Sequence, residues 1–216
     1  MRIFENEEIK FWLKTARKYA GKKDKIIEIG CGGGRILKEL MKAGFNASGF
    51  DNNILFVNHC KKHSLNVFYL DATKKAPKKH KFKYKIAGIA LNTLFNFQEK
   101  TRKKWALHAC NLLEKDGLLI INAYSDNNFS RKNIGERIKF YEAVLAPPKN
   151  YYVEFFDNGR ERGIRLCNPN GKEKFFSRWI TRNELVKEIK TWKCFKIKLI
   201  KLMKCRIGRN VLLAKK

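Results

Sequence analysis

Residues 25–35 read KIIEIGCGGGR, and this stretch decides the fold. Lys25 to Gly30 is a short β-branched run, which is typical of a buried strand. Residues 35–44, RILKELMKAG, have the apolar spacing of a helix and end at Gly44, where a glycine commonly follows a helix C-terminus. A strand, a glycine-rich turn and a helix in this order open a βαβ unit.

The alternation of strands and helices continues along the chain. An amphipathic helix is predicted ahead of this unit, over residues 5–20. Beyond it the sequence predicts strands at 46–50, 66–70, 84–91, 118–124, 195–202 and 210–214, and helices at 53–63, 100–113 and 181–190. The last helix begins at a capping box formed by Thr181 and Glu184. Because crossover connections are right-handed, this order predicts an α/β fold, a doubly wound parallel sheet with helices on both faces.

Residues 125–178 interrupt this alternation. A polar helical piece is expected around Ile134 to Leu145, and turn signals such as DNGR and NPNG then separate short strand-like runs. The segment therefore predicts an inserted helix and antiparallel strands after the fifth strand. Its place at the carboxyl edge of the sheet favours a substrate lid, with a stabilising hairpin or a dimer surface as the alternative.

The composition indicates one globular domain. With 216 residues, 44% of them hydrophobic, the chain can bury a sizeable core, and we expect residues 1–216 to form a single domain. The longest apolar runs are too short to span a bilayer, and the acidic start of the chain does not resemble a secretory signal. Six cysteines are scattered without a C-x-x-C pair, which is typical of reduced thiols. We therefore expect a cytoplasmic protein with no membrane partner.

The charge balance is strongly basic. The chain has 48 Lys and Arg against 20 Asp and Glu, a formal net charge of +28. Such a surplus is typical of proteins that bind RNA or another polyanion. A genome rich in A and T would also raise the lysine content, although it does not explain why the acids are so few. RNA as a partner and codon usage as the cause both stay open.

Three glycines lie between the first strand of the unit and its helix. At Gly30, Gly32 and Gly34 a ligand could approach backbone N–H groups at a helix start, which implies a nucleotide-like cofactor. A dinucleotide-binding turn, G-x-G-x-x-G, would have its third glycine where this chain has Arg35. The pattern here is instead E-x-G-x-G-x-G, beginning at Glu28.

Three carboxylates stand at or just after the ends of predicted strands. Glu28 ends the first strand, and Asp51 and Asp71 are the only acids between residues 40 and 98. The carboxyl ends of parallel strands form the ligand crevice of an open sheet, so we expect these side chains at one site. Asp51 comes 21 residues after Gly30, close to the spacing of about 20 at which an acid binds a cofactor ribose. Loop capping or pairing with lysines is the alternative for Glu28 and Asp71.

Together these motifs resemble those of class I S-adenosylmethionine-dependent methyltransferases. The resemblance covers residues 5–124 and rests on five segments: E-x-G-x-G-x-G from Glu28, Gly49-Phe50-Asp51, Leu70-Asp71-Ala72, IAGIALNTLFNF from residue 86 and LLEKDGLLIINAY from residue 112. It implies a mostly parallel seven-stranded sheet, with the antiparallel insertion after strand five. It also implies S-adenosyl-L-methionine as the cofactor.

The resemblance assigns a part of the cofactor to each motif. The binding residues that it implies are Glu28, Gly30, Gly32, Gly34, Asp51, Asp71, Ala72 and Asn92. Glu28 and Gly30 would hold the methionyl part. Asp51 would bind the ribose diol and Asp71 the adenine amino edge, while Asn92 would face the sulfonium. The sequence after Asn92 lacks the N-P-P-Y pattern of methylases that act on exocyclic base amines, which argues against that reaction.

Methyl transfer from a sulfonium is an in-line displacement, so the enzyme mainly aligns the reactants and excludes water. Asn92 and Tyr124, near the ends of the fourth and fifth strands, are predicted to lie nearest the methyl group. A turn-forming asparagine and a tyrosine at the core edge are the alternative. The methyl acceptor is not identified, and a small molecule is slightly preferred. A tRNA or rRNA methyltransferase and a non-catalytic RNA-binding relative are the alternatives, and the oligomeric state is not predicted.

Two further clusters contain residue types that can bind ligands. His59, Cys60 and His63 lie on one predicted helix, but neighbouring residues point in different directions and no carboxylate is near, so no metal site is predicted. Lysines crowd the approach to the fourth strand: Lys74, Lys75, Lys78, Lys79, Lys81, Lys83 and Lys85. These lysines could contact phosphates while the interleaved Phe82 and Tyr84 stack on bases. A solvated surface with both aromatics in the core is the alternative.

Overall fold

Helices and strands alternate along the chain as the sequence predicts. The computed structural model describes residues 2–90, 93–124, 134–135, 138–139, 142, 148–158, 162–203 and 209–216. Five helices of the described part are Arg2–Tyr19 (α1), Arg35–Lys42 (α2), Ile54–Lys62 (α3), Glu99–Leu112 (α4) and Arg182–Thr191 (α5). Its strands are Lys25–Ile29 (β1), Asn46–Asp51 (β2), Val67–Tyr69 (β3), Tyr84–Ile89 (β4), Leu113–Tyr124 (β5), Tyr152–Asp157 (β6), Arg162–Cys167 (β7), Glu173–Trp179 (β8), Lys196–Met203 (β9) and Arg209–Lys215 (β10).

Seven strands form one sheet in the order β3-β2-β1-β4-β5-β10-β9. The first five are parallel to one another, whereas β10 runs antiparallel to both β5 and β9. In this register Glu28 of β1 lies between Gly49 of β2 and Gly88 of β4. The predicted seven-stranded, mostly parallel sheet is thus confirmed.

Helices cover both faces of the sheet, which confirms the doubly wound arrangement. On one face α4 and α5 bury apolar residues such as Trp105 and Ile189. On the other face α1, α2 and α3 bury residues such as Trp12 and Leu37. Trp12 lies so close to Gly88 that a Cβ atom there would come within 1.7 Å of its ring. The absence of a side chain at Gly88 therefore lets α1 pack directly on β4.

Strand β5 begins earlier than its apolar run predicts. It starts at Leu113 and not at Leu118, because the ladder with β4 contains an irregularity opposite Tyr84 to Ile86. Asp116 within that irregular part has a φ of +65°. The polar residues Glu114, Lys115 and Asp116, which precede the predicted strand, are thus included in it as a bulge.

The predicted antiparallel insertion follows β5. Strands β6, β7 and β8 form a separate three-stranded antiparallel sheet. Strand β8 lies against a short 3₁₀ turn, Thr93–Asn96, that comes after β4. This contact puts the insertion beside the carboxyl edge of the main sheet. The helix predicted over residues 134–145 lies mostly outside the described residues.

Candidate active site

The turn after β1 is shaped by glycines that have no room for a side chain. Gly30 has a φ of +68°, and a Cβ atom there would approach Thr93 to 3.2 Å and the Trp105 ring to 3.1 Å. Gly34 has a φ of +74°, and its Cβ atom would lie 2.4 Å from Leu65. Both positions thus favour glycine for conformation, and Gly34 also requires it for space. The turn is held close to its neighbours and leads directly into α2.

Asp51 connects β2 to this turn. Its Oδ2 accepts a hydrogen bond from the Gly32 N–H at 2.9 Å, and its Oδ1 accepts one from the Asn53 N–H at 2.8 Å. A carboxylate has about four lone-pair positions, so each oxygen can accept one further donor. Asp51 is therefore oriented by backbone donors and still able to bind two hydroxyl groups, as a ribose diol requires.

A cavity of about 120 Å³ lies at the carboxyl ends of the parallel strands. It is lined by Gly30, Phe50, Asp51, Asn52, Leu70, Ala72, Thr93, Phe97 and Trp105. Three residues of the predicted cofactor set, Gly30, Asp51 and Ala72, meet there. The remaining walls are mostly apolar, so the cavity combines an oriented carboxylate with surfaces suited to a planar ring.

Asp71 adjoins the cavity without lining it. Its Oδ1 accepts hydrogen bonds from the Thr73 N–H at 2.8 Å and from the Thr73 hydroxyl at 2.7 Å. Burial raises the pKa of Asp71, but these two hydrogen bonds and the charge of Lys74 outweigh it and hold the pKa below its usual range. Asp71 is therefore a carboxylate at neutral pH, and it stabilises the turn that places Ala72 in the wall.

Glu28 lies beneath the glycine turn and away from the cavity. Its side chain is buried, and its Oε2 accepts a hydrogen bond from the Leu37 N–H at 3.1 Å. Burial raises the pKa of Glu28 to about 8, the opposing charge of Arg35 being too weak to offset it, and the charges of Glu8 and Asp51 add to the rise. Its contact with the methionyl part of a cofactor stays a prediction, and its direct role in the structure is to fix α2.

Sequence reasoning missed a polar cluster that joins α1 to this region. The Glu8 side chain is fully buried. Its Oε2 accepts a hydrogen bond from Arg35, and its Oε1 accepts one from the side chain of Asn122 on β5. The signal that could have revealed the cluster is the position of Glu8 one helical turn before Trp12, on the apolar side of α1.

The other predicted residues of the turn have structural contacts. The Gly32 carbonyl accepts a hydrogen bond from the Cys60 thiol at 3.2 Å. The centroids of the His59 and His63 rings lie 4.4 Å apart, with the ring planes tilted by 40°. Within the described ranges, no group of three or more potential ligands is placed to hold a metal ion. Asn92 and the side chain of Tyr124 lie outside what the structure describes, so their roles stay predictions.

Glu188 of α5 ties the insertion to the main sheet. Its carboxylate pairs with Arg102 of α4 at 2.5 Å and with Arg178 of β8 at 3.2 Å. The Arg102 side chain is almost fully buried and also donates to the Phe97 carbonyl at 2.5 Å. A cleft of about 460 Å³ borders these charges. The insertion is thus fixed next to Phe97, which lines the cavity.

Several solved structures that this chain resembles are methyltransferases. An S-adenosylmethionine-dependent methyltransferase from Methanosarcina mazei matches 94% of this chain and 96% of its own length, with a TM-score of 0.66 and 19% identity. The glycopeptide N-methyltransferase MtfA, crystallised with sinefungin, matches 93% of this chain and 90% of its own, with a TM-score of 0.62 and 10% identity. The chain has the class I methyltransferase fold. No protein-family model matches the sequence, and no curated protein matches it.

A third structure with the methyltransferase fold was solved with both of its ligands. The 1,6-didemethyltoxoflavin-N1-methyltransferase of Burkholderia thailandensis contains 1,6-didemethyltoxoflavin and S-adenosylhomocysteine. It matches 89% of this chain and 70% of its own length, with a TM-score of 0.57 and 13% identity. Among the described residues of the present chain, no helix has the length and apolar content needed to cross a membrane.

Proposed function

We propose that this protein is a methyltransferase that uses S-adenosyl-L-methionine. The observation that carries the proposal is the cavity at the carboxyl edge, where Asp51 is oriented by the Gly32 N–H and faces apolar walls. Structural neighbours crystallised with the cofactor, its product or sinefungin support the same ligand class. Because these neighbours are only 10–13% identical to this chain, their likeness shows the fold alone. The proposal of a cofactor therefore depends on the residues of the cavity.

The cavity residues fit the nucleoside part of this cofactor. Asp51 has acceptor capacity for the ribose diol, and the neighbouring Asn52 offers an amide. Leu70, Ala72 and Phe97 provide apolar contact for the adenine ring. Asp71 keeps its negative charge at neutral pH, so its Oδ2 can accept from the adenine amino group.

The chain itself has to align the reactants and keep water out. When bound, the cofactor supplies a methyl group activated on a sulfonium. Gly30 allows a ligand to lie directly on the backbone of the turn, and Trp105 and Thr93 close the space behind it. Asn92 and Tyr124 are proposed to border the acceptor, where they would orient its nucleophilic atom. The described residues supply carboxylates near the turn, which favour a cationic cofactor.

The insertion is proposed to cover a small-molecule acceptor. Strand β8 lies beside the turn after β4, and Glu188 holds Arg178 of that strand next to α4. Of the arginines that could bind an anionic acceptor, Arg165 is already paired with Glu154 at 2.6 Å.

Transfer of a tritiated methyl group tests this function. The protein is incubated with labelled cofactor and a cell extract, which is then separated into RNA, protein and small metabolites. We expect the label among the small metabolites, and much less of it when Asp51 is replaced by alanine and the cofactor concentration is kept below saturation. Label confined to RNA would support the alternative of a tRNA or rRNA methyltransferase. Cofactor binding without any transfer would support a non-catalytic relative of the fold.

A further inference from the structure

The basic surplus is concentrated between β3 and β4. No acid occurs between Asp71 and Glu99, and six lysines fall within residues 74–83. Five of these six are exposed, and Lys81 is half-buried. In the described part of the chain, none of the six takes part in an ion pair. Their charges are therefore available to an external partner.

This segment is held in a fixed position on the fold. The His80 ring stacks on Phe68 with centroids 4.4 Å apart and an interplanar angle of 7°. The Phe82 N–H donates to the Asn111 carbonyl at 2.9 Å, and the Lys83 N–H donates to the Leu112 carbonyl at 3.0 Å. The lysines thus extend from a backbone that is tied to both the sheet and α4, so less order has to be gained on binding.

Phe82 points outward at considerable conformational cost. Its φ is +53°, a region that disfavours residues with a side chain, and its side chain is 58% exposed. Tyr84, by contrast, is buried in the core. The Lys216 ammonium lies 4.2 Å from the centroid of the Phe82 ring. The structure therefore buries Tyr84 and exposes Phe82, whose ring has the Lys216 ammonium over one face.

The surrounding lysines gather at the amino ends of the parallel strands. Lys25 begins β1, Lys83 directly precedes β4, and Lys216 directly follows β10. Burial lowers the pKa of His80, and the positive charges of Lys79, Lys83, His108 and Lys25 lower it further. We name this surface the lysine face and define it as Lys25, Lys79, Lys81, Phe82, Lys83 and Lys216. The cavity lies at the other end of β1, about 16 Å away for a five-residue strand.

We propose that the lysine face binds single-stranded RNA, with phosphates on its lysines and a base stacked on Phe82. Lysines neutralise phosphates, and an exposed aromatic ring offers a stacking platform for any base. An acidic protein would use the lysines without needing an outward aromatic ring. An anionic membrane could use both features, so vesicles form a separate arm of the test. RNA bound at the amino edge is a partner and not the methyl acceptor, so this inference does not depend on the proposed reaction.

Fluorescence anisotropy with a labelled 12-nucleotide oligo(U) RNA and the full chain tests the proposal. We expect binding at 50 mM salt that weakens steeply at 200 mM, since phosphate contacts release counterions. The double variant Lys79→Glu/Lys83→Glu should bind at least tenfold more weakly. The matched control is Lys100→Glu/Lys104→Glu, which makes the same charge change on two exposed lysines of α4, and it should change affinity less than threefold.

Phe82 distinguishes RNA from other polyanions. Phe82→Ala should weaken oligo(U) binding roughly tenfold and leave the binding of inorganic polyphosphate unchanged, whereas Phe82→Trp should restore RNA binding. Equal losses from the two charge reversals would overturn the lysine face as the site. An unchanged oligo(U) affinity in Phe82→Ala would overturn RNA as the partner. The same conclusion would follow if Phe82→Ala lost as much affinity for phosphatidylserine vesicles as for oligo(U). Circular dichroism shows whether each variant is folded.

Discussion

The carboxylate of Glu8 accepts a hydrogen bond from the guanidinium of Arg35, which joins the N-terminal helix to the first residue of the helix after the glycine turn. The Glu8 side chain is completely buried, whereas that of Arg35 is 23% exposed. Arg35 also stands where a dinucleotide-binding turn has its third glycine. The residue that departs from that motif thus connects the proposed cofactor site to α1.

Removal of this contact should destabilise the protein and loosen the turn. Glu8→Ala removes a buried carboxylate that accepts hydrogen bonds from Arg35 and Asn122, and we expect the free energy of unfolding to fall by about 3 kcal/mol. Glu7→Ala is the matched control, because Glu7 is exposed and its ion pair with Lys10 is worth less than about 1 kcal/mol. Urea denaturation of both variants measures the difference. Equal losses of stability would mean that the buried contact contributes nothing specific.

Glu28 should make stability fall as the pH rises. Its pKa is about 8 in the folded state and about 4.5 in the unfolded state, so between these values the folded protein binds more protons. This contribution to stability is complete below pH 4.5 and is lost as the pH rises to about 8. Between pH 7 and pH 9 the parent should lose about 1 to 2 kcal/mol more than Glu28→Gln does. Parallel pH profiles of unfolding for the two proteins would contradict this assignment.

Two adjacent glycines should differ sharply in their tolerance of alanine. At Gly34 a Cβ atom would lie 2.4 Å from Leu65, and the φ of +74° is unfavourable for alanine. Gly34→Ala should therefore cost about 2 to 4 kcal/mol and weaken cofactor binding. At Gly33 a Cβ atom would meet nothing within 4 Å, so Gly33→Ala should leave both properties nearly unchanged. Thermal unfolding and cofactor titration of the pair decide the matter, and equal behaviour would show that the turn is not packed as described.

The insertion should serve the acceptor and not the cofactor. When residues 127–177 are replaced by a short Gly-Ser linker, we expect methyl transfer to be lost while cofactor affinity changes less than about threefold. The cavity is lined by residues outside this segment, which is why cofactor binding should survive. Methylation at the parent rate by a folded, shortened protein would place acceptor recognition elsewhere, for example on α1 near Phe11 and Tyr19.

The sequence predicts those parts of the site that depend on local order. Gly30, Asp51 and Ala72 each follow a strand whose apolar run is visible in the sequence, and parallel strands bring their ends together. The burial of Glu28 was harder to predict, because side chains alternate between the two faces of a strand and its face was unknown. The contact of Glu8 with Arg35 joins residues 27 positions apart and depends on how α1 packs. The outward position of Phe82 depends on a backbone angle that its lysine neighbours do not reveal.

Calorimetric titration with S-adenosyl-L-methionine tests the central claim most directly. We expect the parent to bind the cofactor and Asp51→Ala to bind it about 1.5 to 3 kcal/mol more weakly, the cost of losing hydrogen bonds to a charged group. Asp116→Asn, which changes an exposed acid at the opposite edge of the sheet, should bind as the parent does. A folded parent that does not bind the cofactor, or a folded Asp51→Ala variant with the parent's affinity, would contradict the claim that this cavity is a methyl-donor site.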